Sequence, residues 1–125
     1  MALTYTYVAG TNSYTVSGND GTDVNLIIPD TYTGPQGTLP VLIVGTTAFL
    51  NATNLVSVVI GNNINNIQTR AFEGCTSLTT VTISNSVTRL AGSVFKNCTS
   101  LNNVTIPNNV STLGVSIFSG CTSLT

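Results

Sequence analysis

The stretch Ala71-Phe72-Glu73-Gly74-Cys75-Thr76-Ser77-Leu78-Thr79-Thr80-Val81-Thr82-Ile83 decides the fold, because it recurs. A second version, Val94-Phe95-Lys96-Asn97-Cys98-Thr99-Ser100-Leu101-Asn102-Asn103-Val104-Thr105-Ile106, lies 23 residues further on. Extended in both directions, the same spacing aligns Phe49, Phe72, Phe95 and Phe118, and likewise Leu55, Leu78, Leu101 and Leu124. Val58, Val81 and Val104 follow it, as do Ile60, Ile83 and Ile106. Val41, Ile64, Val87 and Val110 form another column, and Val44, Ile67, Leu90 and Leu113 another. The last column is Ala52, Cys75, Cys98 and Cys121. Apolar columns in register mark a repeat array. Its units are 41–63, 64–86 and 87–109, with a partial unit at 110–125.

Within a unit, Val81 and Ile83 alternate with Thr80 and Thr82, the period-two pattern of a half-buried strand. Leu55–Ile60 and Leu101–Ile106 are the equivalent strands, and Asn62-Asn63, Asn85-Ser86 and Asn108-Asn109 are the turns behind them. Ala71-Phe72-Glu73-Gly74 reads as one tight helical or 3₁₀ turn ended by glycine. One unit cannot bury its own apolar face. Stacking at about 4.8 Å per strand turns each column into a ladder inside a coil. Burying one Phe or Leu fully contributes roughly 1.5–3 kcal/mol.

Ala71-Phe72, Cys75, Leu78 and Ile106-Pro107 at their spacings resemble the BspA-like leucine-rich repeat, over residues 41–125. The resemblance implies a repeat solenoid: a right-handed leucine-rich-repeat coil with a short-stranded parallel sheet and an N-terminal antiparallel β cap. Ala52 in the cysteine column, and Val94 and Ile117 in place of the alanine, depart from the family pattern conservatively. Residues 1–40 read as that cap plus an inserted loop. Leu3–Ala9, Ser13–Ser17 and Val24–Ile28 form two or three antiparallel strands, with Asp20-Gly21 as a turn. Because Ile28-Pro29 matches Ile106-Pro107, an incomplete repeat beginning there is the alternative, with 30–40 as the inserted loop. The coil end at Thr125 reads as uncapped, which suggests missing repeats or a covering subunit.

Only 6% of residues are charged, against roughly 25% in average soluble domains, so 22 Thr, 15 Asn and 12 Ser must carry solubility. Three cations, Arg70, Arg89 and Lys96, cannot neutralise a phosphate backbone, which excludes nucleic acid and a polybasic membrane contact. No apolar run approaches the roughly 18 residues of a membrane span. Met1-Ala2-Leu3-Thr4-Tyr5 lacks the features of a signal peptide. The expected location is nevertheless extracellular, on a cell or virion surface, with a cytoplasmic protein as the remaining alternative.

The chain has no histidine, which removes the usual general base and the commonest metal ligand. Cys75, Cys98 and Cys121 fall in adjacent coils and read as core packing, with one disulfide as the alternative. No metal, cofactor or catalytic site is expected. Asp20 and Asp23 read as turn chemistry. Asp30 and Glu73 complete the acids, with Glu73 and Lys96 expected to pair across coils. Arg70 and Arg89 read as solvated. Four glycosylation sequons, at Asn51, Asn97, Asn103 and Asn109, are about the number chance supplies in such a sequence.

The candidate binding surface is the outward sheet face: Ser57, Thr80 and Asn103 in one column, Val59, Thr82 and Thr105 in the next. It is uncharged and rich in hydroxyls. In the family resembled, such faces bind partners on surfaces, which implies a non-enzymatic adhesion module for protein or glycan. The alternative is an assembly subunit of an extracellular fibre or virus surface, joined end to end.

Overall fold

The computed structural model describes residues 3–124. β1 (Leu3–Val8) and β2 (Ser13–Asn19) form an antiparallel hairpin, from Leu3 opposite Asn19 to Val8 opposite Ser13. From there the chain winds as a coil with no helix among the described residues. β3 (Asn25–Ile27), β6 (Ser57–Val59), β8 (Thr80–Thr82) and β10 (Asn103–Val104) pair in parallel as one ladder. β2 continues in parallel into β5 (Gly37–Val44), then β7 (Asn66–Ile67), β9 (Arg89–Leu90) and β11 (Thr112–Leu113). The solenoid expected from the 23-residue period is therefore present, but with two parallel ladders rather than one.

Two further corrections concern the N-terminal region. Asn25–Ile27 is not an antiparallel strand: it lies parallel to β6, at an interval of 32 residues. The extra length is the segment expected as a loop, which instead folds back as a hairpin of β4 (Thr31–Gly34) on the start of β5. Asp30 ties it to the coil, its carboxylate accepting the Asn62 N–H at 2.7 Å and its carbonyl accepting Asn63 Nδ2 at 2.9 Å.

The expected helical turn is also replaced. The N–H groups of Thr47, Phe49 and Asn51 donate to the Thr69, Ala71 and Glu73 carbonyls of the next coil, at 3.1, 2.7 and 2.8 Å. Those of Ala48, Leu50 and Ala52 fold back to Gly45, Thr47 and Phe49 instead. A helix would direct every N–H inward along its own axis and leave none for a neighbour. The alternation comes from left-handed residues: Thr47, Arg70, Ser93 and Ser116 lie at φ 57, 59, 60 and 59°, and Asn51 and Asn97 at 56 and 61°. Gly74 and Gly120 take the same place as those asparagines at φ 75 and 77°. A Cβ on either glycine would collide with the amide of Asn51 or Asn97 in the preceding coil. Asparagine and glycine therefore alternate down the column, each asparagine lying over the glycine below it.

The core is a set of ladders. Phe49, Phe72 and Phe95 are buried, with ring centroids 5.1 and 5.6 Å apart. Leu55, Leu78 and Leu101 are buried beside them. In the last coil Phe118, Cys121 and Leu124 are half-buried.

Candidate functional site

Buried Leu26, Val58 and Val81, with half-buried Val104, fix which side of the first ladder turns inward. Alternation then forces Asn25, Ser57, Thr80 and Asn103 outward in one row. The second row is Ile27, Val59 and Thr82, followed by Thr105 just beyond β10. Thr80, Thr82, Asn103 and Thr105 are exposed, Val59 is 42% exposed and Ser57 is half-buried. The six residues named from the sequence thus lie on one face. Asn25 and Ile27 belong to the same face and were missed, because their 32-residue interval hides them from a search at 23. Ile27 is 66% exposed, and Ser57 Oγ donates to Asn25 Oδ1 at 2.7 Å. The face therefore changes along its length, from apolar Ile27 and Val59 to hydroxyl-bearing Thr82 and Thr105.

A shallow cavity of about 340 Å³ opens on the hydroxyl-rich half. Thr80, Thr82, Asn103 and Thr105 line it, together with Asn85 and Pro107. These last two sit on the turns that follow the strands, so no strand pattern points to them. Ser57 and Val59 lie outside it. The lining is uncharged, which suits hydrogen bonding to hydroxyls and amides and offers nothing for acid–base chemistry.

The remaining candidates fall elsewhere. Cys75, Cys98 and Cys121 are free thiols whose Sγ atoms donate to the Phe49, Phe72 and Phe95 carbonyls at 3.1, 3.1 and 3.0 Å. The contact to the Cys75 sulfur, followed by burial, pushes the Cys98 thiol far above its ordinary range. Burial pushes Cys121 up as well, followed by the nearby Cys98. Among the described residues no three metal-ligating side chains converge. Asp20 closes a turn by accepting the Thr22 N–H and hydroxyl at 3.1 and 2.7 Å. Glu73 does not pair with Lys96. Its carboxylate meets Arg70 Nε at 3.8 Å within its own turn; the arginine is exposed and the glutamate half-buried, and a pair of that length contributes roughly 0–1 kcal/mol. Sharing a column stacks backbones, but it does not aim long side chains at each other.

A two-ladder coil of short parallel strands, wound around stacked columns of Phe and Leu, defines a leucine-rich-repeat solenoid. The model of the BspA type leucine rich repeat region matches residues 38–125, and the chain belongs to that family. No curated protein matches significantly. Among solved structures, a leucine-rich repeat protein from Bacteroides capillosus superposes with a TM-score of 0.89 at 25% identity, over 98% of this chain and 89% of that one. A leucine-rich repeat protein from Bacteroides ovatus gives 0.86 at 25% identity, over 94% of this chain and 31% of that one. The T. pallidum leucine-rich repeat protein gives 0.77 at 24% identity, over 98% of this chain and 66% of that one. This chain thus spans less than two thirds of the two longer relatives. No helix of the described residues is long and apolar enough to cross a membrane.

Proposed function

We propose that the chain is a non-enzymatic recognition module, located on a cell or virion surface, that binds protein or glycan through the outward face of the first ladder. The observation that carries this reading is the row Ile27, Val59, Thr82 and Thr105 beside the cavity of about 340 Å³. Burial does not require these side chains, so packing does not explain them. Apolar Ile27 and Val59 give contact area, and the Thr and Asn groups beside them give direction. Membership of the BspA-type family supports an interaction role. The test is binding of the purified chain to a glycan array and to a panel of extracellular-matrix proteins. Changing Thr80, Thr82 and Thr105 together to Lys should abolish any signal while circular dichroism stays unchanged. Undiminished binding overturns the assignment to this face.

A further inference from the structure

The second ladder has an outward row of its own. Buried Val44, Ile67 and Leu90 face inward, so Ile43, Asn66, Arg89 and Thr112 face out. A cavity of about 290 Å³ opens on this row, lined by Thr46, Asn66, Gln68, Thr69, Arg89 and Ala91. Gln68 Oε1 accepts both the N–H and the hydroxyl of Thr46, at 3.2 and 3.3 Å. Its acceptor is thereby used, and its Nε2 makes no hydrogen bond among the described residues. Asn66 Nδ2 is likewise unbonded, and its Oδ1 is buried without a partner. Arg89 is exposed and makes no ion pair among the described residues, unlike Arg70, which meets Glu73. No carboxylate lines the cavity. Three unengaged donor groups, one of them a guanidinium, thus surround one polar hollow. Such a set complements an anion with planar, forked oxygens.

We infer that this hollow binds the carboxylate of a uronic-acid residue of an acidic polysaccharide. Arg89 and Gln68 Nε2 take the carboxylate oxygens. Asn66 Nδ2 and the Thr46 and Thr69 hydroxyls meet the ring hydroxyls. An acidic peptide fits less well, because Ala91 is the one apolar side chain in the lining. The site lies on the other ladder, so its failure leaves the proposal for the first face standing.

The test is a nitrogen-15 NMR titration of the chain with sodium D-glucuronate, D-glucose and N-acetyl-glutamate amide. Glucuronate should shift the Asn66 and Gln68 side-chain amides and the backbone amides of residues 89–91. Saturation is expected near about 1 mM, the weak regime of a single charge-assisted contact. Glucose should bind at least about tenfold more weakly, since it lacks the group that Arg89 selects. Arg89→Gln should abolish the glucuronate response, and Arg70→Gln should keep it. Should Arg89→Gln lose the native spectrum, Arg89→Lys serves instead, with binding several-fold weaker because the fork is gone. A response that does not saturate, or that persists in the Arg89 variant, overturns the site. Glucose binding as well as glucuronate, or the glutamate derivative binding better, overturns the ligand assignment.

Discussion

Phe49, Phe72, Phe95 and Phe118 lie nearly parallel, with interplanar angles of 3, 12 and 5°. Tyr14, by contrast, meets Tyr5, Tyr7 and Tyr32 edge-on at 73, 64 and 86°, and only Tyr5 and Tyr32 stack, at 3.8 Å. Aromatic pairs left to themselves favour edge-to-face or offset arrangements. In the repeats that preference yields to the backbone. Each coil repeats the rotamer of the last, so rings stack at separations of 5.1–5.9 Å, close to the strand spacing. At the N-terminal end no translation operates. Tyr14 and Tyr32 belong to β2 and β4, and side-chain packing instead locks the inserted hairpin to the cap. One region is held by repetition, the other by a single cluster.

The largest effect expected from breaking this comparison is in the ladder. Phe72→Ala should cost about 3–5 kcal/mol in chemical denaturation, because fixed neighbours above and below cannot collapse into the cavity. Half-buried Phe118→Ala should cost less than half as much. Next comes the alternating column: Gly74→Ala should destabilise by about 1–3 kcal/mol, combining left-handed strain with the clash against Asn51. Adding Asn51→Ala should recover the part due to the clash, as a double-mutant cycle would show. In the cluster, Tyr32→Ala should cost about 1–2 kcal/mol, from one stacked and one edge contact. Hydrogen exchange should place that loss at β4 and the start of β5, and leave the repeats protected. A uniform loss would mean that hairpin and coil unfold as one unit.

The smallest effect is in the thiols. Native Cys121 holds its proton above the ordinary thiol value, chiefly through burial, so unfolding releases a proton once the pH passes about 8.5. Stability should be complete below that pH and decline as the pH rises further. Denaturation midpoints of the wild type and Cys121→Ala, compared from pH 7 to 9.5, should diverge in slope. Parallel slopes would mean that Cys121 ionises freely in the folded chain.

The comparison also explains what could be read in advance. Repeated columns such as Leu55, Leu78 and Leu101 announce themselves because a coil rise converts sequence period into contact. The first ladder's face was legible for the same reason, from Ser57 to Thr105. The second ladder was not. Asn66-Ile67 and Arg89-Leu90 are two-residue strands, too short for alternation to register. Nor did Thr47, Arg70, Ser93 and Ser116 signal left-handed backbone, since none of them is a residue that seeks it. That strain, about 1–2 kcal/mol per residue, is offset at Thr47, Arg70 and Ser93 by N–H bonds to the next coil.

The sequence alone determined the period, the inward columns and the scarcity of charge, because all three follow from residue type and spacing. The tertiary structure decided how the N-terminal unit joins the coil, which arginine is paired and which is free, and where cavities open. Those depend on side-chain direction and on contacts between residues whose spacing departs from the repeat, and no period encodes either.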